Sequence, residues 1–308
     1  MVAAIVMSDW GPPAVLVRRD IEIPPPGTGQ ILIDVNYAGV GPTDLALRAG
    51  HLKGAFGSAP GSILGFEVSG VVREVGPGVP DLQPGAAVVA FLPELGGYSE
   101  QVLARYWTQR PSAVDEQLAA GLPASGEAAV RVIEETQVEA GDTVLIVGAA
   151  GSVGLIATQL AVRRGARVIA AARASELSGL ASLGAQPVAL GPDLVADVRA
   201  QTTTIDVVID AAGIGILPAA VELAGGAQRV VTLSDPRAGE VGVRISVPDE
   251  PRITARLETA MDLLAQGKLR LRPQMVFRLA DAAPVHQQLA DGRLHTKILL
   301  ATDRAATR

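Results

Sequence analysis

Residues 143–154 read TVLIVGAAGSVG, an apolar run that ends on glycine and leads into LIATQLAVRRGA. A strand followed at once by Gly148-Ala149-Ala150-Gly151-Ser152-Val153-Gly154, and then by a helical pattern, leaves few folds open. Glycine at 148 and 151 allows the tight turn and lets the backbone approach a pyrophosphate closely. The helix that follows offers free N–H groups and the positive end of its dipole to the same anion. A strand–helix turn with no ligand is the other reading. Against it, a second strand, Arg167–Ala172, follows the helix, as a dinucleotide-binding βαβ unit requires. Gly148, Gly151, Ser152 and Val153 are therefore expected to bind the cofactor.

An NAD site needs an acidic residue about 20 positions on, at the end of the second strand, for the ribose 2′-hydroxyl. That end reads Ala171-Ala172-Arg173. A 2′-phosphate carries about two negative charges. A hydrogen bond to a charged group is worth about 1.5–3 kcal/mol, roughly 10- to 100-fold in affinity. Arg173 therefore points to NADPH, with a solvated surface charge as the alternative reading. Glu176, close by, is the residue a ribose hydroxyl would use instead.

Further along, IDVVIDAAG and QRVVTLSD are two more buried-strand candidates. Strands alternating with helices imply a parallel sheet wound on both faces, the Rossmann arrangement. Ligands of such sheets lie beyond the carboxyl ends of the strands, here Ala211, Gly213, Leu233 and Ser234. The first hundred residues differ. ILIDVNYAG alternates as a half-buried strand, VSGVVREVGPGV runs into a Gly/Pro turn, and AAVVAFLPELGGYSEQVLA reads as two strands around a loop. The tail, RPQMVFRL and HTKILLA, returns to strand-like text and is expected to rejoin the first domain. The expected division is residues 1–116 with 271–308, a β-rich domain, and 117–270, a Rossmann NADPH-binding domain.

Composition closes several routes. The 308 residues suffice for roughly two domains. The net charge is −6 with no long run of one sign, which argues against nucleic acid or an anionic membrane as partner. There is no cysteine, so disulfides, thiolate zinc sites and thiol nucleophiles are excluded. Only three histidines occur: His51, His286 and His295. No apolar stretch approaches ~20 residues and no basic-then-apolar leader opens the chain, so a soluble cytoplasmic protein is the expectation.

Several segments together carry a resemblance. NYAGVGPTDLALRAG resembles the "G-x-N-x-x-D-x-x-x-R-x-G" stretch of the quinone oxidoreductase branch of medium-chain dehydrogenase/reductases. PGSILGFEVSGVVREVGPGV resembles that superfamily's "P-x-x-x-G-x-E-x-x-G-x-V-x-x-V-G" segment, and LQPGAAVVAFLPELGGYSEQVLA its "G-D-R-V…G-x-Y-A-E" hairpin. AAGSVGLIATQLAVRRGA is similar to its cofactor turn and GRLHTKILL to its C-terminal "G-K-x-V-L" strand. The resemblance runs the length of the chain and implies a GroES-like substrate domain formed by both chain ends, beside the Rossmann domain. It also implies backbone contacts from Ala211, Gly213, Leu233 and Ser234 to the nicotinamide, and a homodimer paired through the Rossmann sheet edge. Val241–Val247 alternates suitably for that edge strand.

The zinc enzymes of the superfamily use a Cys in "C-x-[ST]-D" and a His in "G-H-E". Here Gly41 and Phe66 occupy those positions, and neither can ligate a metal. No metal site is expected. Hydride transfer to an already activated acceptor, a quinone or an α,β-unsaturated carbonyl, then replaces alcohol oxidation. The zinc-free branch's Asn aligns with Gly41, its Tyr with Leu52 and its Thr with Ala128, which suggests a changed pocket. That change motivates a second reading, a biosynthetic tailoring reductase acting on an enone or polyene, with reductive cyclisation as one outcome. A third, from another class, is a non-catalytic NADPH-binding sensor.

For the proton that follows the hydride, His51, Tyr98 and solvent are the candidates. Each side chain has a plainer role open to it, His51 as an exposed loop residue and Tyr98 in hairpin packing. Thr43 is a candidate cofactor contact and Asp44 a turn or cap acceptor. Gly41, Leu52, Phe91, Trp107 and Phe277 are candidates to line an apolar pocket for a small conjugated substrate, with ordinary core packing as the other reading of the aromatic rings. Arg293 and Lys297 are read as surface ion-pair residues that could assist a 2′-phosphate. Glu67, in GSILGFEVSG, is expected to pair with a basic or backbone donor.

Overall fold

The structure, a computed structural model, describes residues 1–305. Contacts divide the chain into two compact units. One comprises Met1–Ala124, Ile253–Gln266 and the chain from Pro273 onward; the other comprises Ser125–Arg252 and Gly267–Arg272.

The first unit begins with an antiparallel pair, β1 (Val2–Met7) and β2 (Leu16–Ile21). The long strand β3 (Ile31–Val40) leads into α1 (Pro42–Ala49), which starts on Gly41 and stops on Gly50 at φ 84. β4 (Glu67–Val75) pairs with β3 and with β5 (Ala87–Phe91). β6 (Gln101–Ala104) pairs with the first half of β3, and β7 (Tyr106–Gln109) with β5. β3 is buried on both faces rather than half-buried as its alternation predicts. Its polar Asn36 is accommodated because the amide donates to Glu116 of α2 (Glu116–Ala120) at 2.7 Å. Two register shifts against β4 bend the strand.

The second unit opens with α3 (Pro123–Glu135), then alternates: β8 (Thr143–Val147), α4 (Ser152–Arg163), β9 (Arg167–Ala172), α5 (Leu177–Ala181), β10 (Gln186–Ala189), α6 (Leu194–Gln201), β11 (Val207–Asp210), α7 (Leu217–Ala224), β12 (Val230–Thr232) and β13 (Arg244–Ile245). All six strands are parallel, in the order β10-β9-β8-β11-β12-β13. Val144, Leu145, Ile146 and Val147 are fully buried, as a central strand covered on both faces requires. The chain runs outward from β8 through β10, then returns to β11 on the other side. The switch point lies between β8 and β11, where such sheets bind ligands. The predicted edge strand Val241–Val247 shortens to Arg244–Ile245, because Ala238–Val241 coils into a 3-10 turn.

The chain then returns to the first unit through α8 (Ile253–Ala265), β14 (Gln274–Arg278), α9 (Ala282–Ala290) and β15 (Lys297–Ala301). β15 pairs antiparallel with β3 and parallel with β14, so both chain ends build one seven-stranded path, β14-β15-β3-β4-β5-β7 with β6 on β3. Helix α8 lies in the stretch expected to belong to the dinucleotide domain. Ile253 and Leu257 instead enter the core of the first unit, beside Leu279 and Val285. Among the described residues no helix is long and apolar enough to cross a membrane.

One approach in the second unit requires glycine outright. A Cβ at Gly154 would stand 2.8 Å from the Gly148 carbonyl carbon and overlap its oxygen. Gly154→Ala is expected to lower stability by about 1–3 kcal/mol, as overpacking does. Gly179→Ala, where α5 leaves open space, should gain about 0.5–1 kcal/mol. Paired thermal melts of the two variants check this.

Candidate functional site

In the second unit the turn after β8 takes Gly148 at φ 78, a conformation that favours glycine. Its amide and that of Ala149 bond the carbonyl of Ala171 on β9, at 2.9 and 3.0 Å. A Cβ at Gly148 would press on Ala212, 2.9 Å from its Cβ. The turn after β8 and the loop after β11 therefore touch at the switch point. The first amides of α4, at Ser152 and Val153, face out of the helix N-terminus without intrahelical acceptors, which start with Leu155 bonding Gly151.

The loops that end β11 and β12 are shaped by two buried polar residues that sequence reasoning passed over. Asp210 accepts the amides of Ala212 and Gly213, each at 3.0 Å, and the hydroxyl of Thr232 at 2.8 Å. Thr232 in turn accepts the amides of Ser234 and Asp235 at 3.3 and 3.1 Å. Gly213, at φ 61, lies against the Ser234 hydroxyl. Ala211, Gly213, Leu233 and Ser234 are thus brought together at the carboxyl ends of adjacent strands, beside Gly148. The available signal was an aspartate closing the apolar run VVID.

Arg173 sits just past β9. Its guanidinium makes a two-pronged contact with Glu176, at 3.0 and 3.2 Å. Arg272 reaches the same carboxylate from the far end of the unit, at 3.1 Å. Burial alone would raise the Glu176 carboxyl, but the two arginines outweigh it and hold it below its usual range. The hydrogen bond to Glu176 raises Arg173, whereas burial and the neighbouring Arg173 lower Arg272. Two guanidinium groups thus converge on one carboxylate beyond β9. Nothing local in the sequence links positions 173 and 272.

In the first unit, three ionisable side chains are buried near the start of α1. Asp44 caps the helix: one carboxylate oxygen accepts the Gly41 amide at 2.8 Å and the other the Gly65 amide at 2.9 Å. Burial pushes Asp44 up to about 7, against those two amides and Lys297. Glu67 accepts the Ala124 amide at 2.8 Å and pairs with the Lys297 ammonium. Both side chains are almost wholly buried, so Lys297 is a structural partner of Glu67, not a surface charge. Arg293 is exposed and pairs with Asp291.

The remaining candidates are spread over several elements of the first unit. Tyr98 is fully buried, and its hydroxyl shares a 3.0 Å hydrogen bond with His286 Nε2. Burial and the charge of Arg48 push His286 down to about 3, so the pair is a neutral core contact. Tyr98 therefore cannot meet an acceptor, which corrects its candidacy as an acid. His51 is exposed, in the turn that follows α1. Thr43 is half-buried on α1, Gly41 is that helix's N-cap, and Leu52 packs on the core. Phe91 lies opposite Tyr106, while Trp107 lies opposite Ala90, so Phe91 and Trp107 project to opposite faces of the sheet. Phe91 and Tyr106 line a cleft of about 240 Å³ with Leu92, Leu95 and Ile63. Phe277 is on β14, at the other end of the sheet order from Trp107. Among the described residues no group of three or more His, Asp or Glu side chains is arranged to hold a metal ion.

Comparison with known proteins agrees with this layout. Residues 27–110 match the alcohol dehydrogenase GroES-like domain, and residues 152–254 match the zinc-binding dehydrogenase family. A 2-haloacrylate reductase of a Burkholderia species is 36% identical over 176 residues, 55% of this chain and 52% of that protein. The chloroplastic NADPH-dependent alkenal/one oxidoreductase of Arabidopsis thaliana is 32% identical over 249 residues, 75% of this chain and 62% of that protein. The matched stretches thus span only about half to three-fifths of these relatives' own lengths. Among solved structures, the quinone oxidoreductase from Coxiella burnetii superposes with a TM-score of 0.85 at 28% identity, covering 97% of this chain and 99% of that one.

Two outcomes follow from the buried charges. Lys297→Met strands Glu67 without its cation and should cost about 3–5 kcal/mol, whereas adding Glu67→Gln should recover most of it. Urea denaturation of the single and double variants measures this. Asp44 has a folded value above its unfolded one, so its contribution is complete below about pH 4 and is lost as pH rises towards 7. Relative to Asp44→Asn, the native protein should lose stability across that window, by at most about 1.4 kcal/mol per pH unit.

Proposed function

The chain belongs to the medium-chain dehydrogenase/reductase family, and on that premise we propose that it is an NADPH-dependent reductase of a quinone or an α,β-unsaturated carbonyl, working without zinc. The observation that carries the cofactor choice is the paired guanidinium groups of Arg173 and Arg272 on Glu176. A ribose hydroxyl needs an acceptor there, whereas a 2′-phosphate needs surplus positive charge.

The residues present fit a dinucleotide. Gly148 and Gly154 admit no side chain, which brings the turn after β8 close against α4, and the first α4 amides, Ser152 and Val153, have no intrahelical acceptor and are available to an anion. NADPH, when bound, supplies a hydride from its nicotinamide ring. Gly148, Gly151, Ser152 and Val153 hold the pyrophosphate, and Arg173 and Arg272 hold the 2′-phosphate. The loops at Ala211, Gly213, Leu233 and Ser234 offer backbone groups to the nicotinamide half. Of the two side chains considered as acids, only His51 meets solvent.

The zinc-free part of the reading rests on chemistry at two positions. Gly41 and Phe66 carry no donor atom where zinc enzymes of the family place Cys and His. With no Lewis acid to polarise an alcohol or ketone, the acceptor must carry its own activation. Relatives named for alkenals, quinones and haloacrylates support this. Exposed Ile245 and Val247, at and just past the β13 edge, support pairing of two copies through that strand.

Equilibrium titration tests the cofactor assignment. NADPH should bind tighter than NADH, and Arg173→Ala and Arg272→Ala should each weaken NADPH about 10-fold while leaving NADH unchanged. Glu176→Gln should tighten NADPH. Tighter binding of NADH, unaltered by Arg173→Ala, would overturn it.

A further inference from the structure

Asp210 and Thr232 are fully buried in the second unit, at the ends of β11 and β12. The sheet itself does not need their polar groups. β11 pairs with β8 and β12 through its own backbone, and an apolar side chain would fill the same space without desolvating a carboxylate. Every hydrogen bond these two side chains make goes to the loops beyond the strands or to each other.

These bonds share one polarity. One Asp210 oxygen accepts the amides of Ala212 and Gly213, and Thr232 accepts those of Ser234 and Asp235. The amides of Ala211 and Leu233 bond the carbonyls of Val147 and Asp210, each at 2.9 Å. Every amide of 211–213 and 233–235 is therefore turned inward. Among the described residues no donor reaches the carbonyl oxygens of Ala211, Ala212 or Gly213. The start of α4 is the opposite in kind, because the amides of Ser152 and Val153 have no intrahelical acceptor. An anion suits that helix start, whereas a neutral group carrying N–H donors suits the two loops.

We infer that Asp210 and Thr232 are positioning residues for the nicotinamide half: they draw the loop amides inward and so present carbonyl oxygens to the N–H groups of its carboxamide. This rests on the NADPH reading above and identifies the side chains that act behind its nicotinamide loops. Thr232 is the relay between them. Its hydroxyl donates to Asp210 at 2.8 Å and accepts from the loop after β12, so one hydrogen-bond chain sets both loops. Loops held in place before the ligand arrives lower the cost of binding. The net worth of one such hydrogen bond corresponds to about threefold to tenfold in affinity.

The test is equilibrium titration with NADPH and with 2′,5′-ADP, which lacks the nicotinamide half. Thr232→Val removes the hydroxyl at nearly constant volume, and Asp210→Asn puts an N–H donor where the Thr232 hydroxyl now donates. Both should weaken NADPH about threefold to tenfold and leave 2′,5′-ADP within twofold of native, with Thr232→Ser restoring native values. A role confined to stability would not separate the two ligands. A second measurement needs no variant: the 3-acetylpyridine analogue of NADPH carries a methyl ketone in place of the carboxamide, and the native protein should bind it about threefold to tenfold more weakly than NADPH. Equal loss of both ligands in the variants, loss of neither, or equal binding of the analogue would overturn the inference and leave the cofactor assignment standing. Selective loss of NADPH with no acceptor reduced by native protein would overturn the reductase reading and leave the inference standing. Native protein that binds neither ligand would overturn both.

Discussion

A side chain at position 154 has nowhere to go, because the carbonyl of Gly148 occupies its place. That single close approach seats α4 on β8 and aims the first amides of the helix past the strand's end. Gly148 also lies against Ala212, so the same turn is pinned to the loop after β11. The strand order then puts the loops after β8, β9, β11 and β12 along one edge of the sheet. Every element assigned to the cofactor depends on that seating, including Arg173 at the end of β9.

The first unit depends on buried charge instead. Asp44 ties the helix start at Gly41 to Gly65, and Glu67 is matched by Lys297 from the last strand. These carboxylates hold the corner in which the family's zinc enzymes place a metal. Here the donor positions are a glycine and a phenylalanine, and the carboxylates beside them are engaged by backbone amides and an ammonium. The corner keeps its scaffold with different chemistry on it.

Much of this was legible in the sequence where interactions are local. The strand–glycine–helix turn, the Arg173 terminus and the return of the tail to the first unit all follow from short patterns. What stayed hidden is set by distance and parity. Lys297 and Arg272 meet their carboxylates across 230 and 96 positions, which no spacing rule reaches. The pattern of α8 shows an apolar face but not which core receives it. Phe91 and Trp107 fall on opposite faces because of β5–β7 register, and the hydroxyl of buried Tyr98 meets a histidine 188 positions away.

The central claim is reduction of an activated acceptor without zinc. The most direct measurement is NADPH oxidation with 1,4-naphthoquinone by protein dialysed against EDTA, compared with undialysed protein. The account predicts equal rates, with no gain on adding zinc. Loss of activity on chelation and its return with zinc would contradict it.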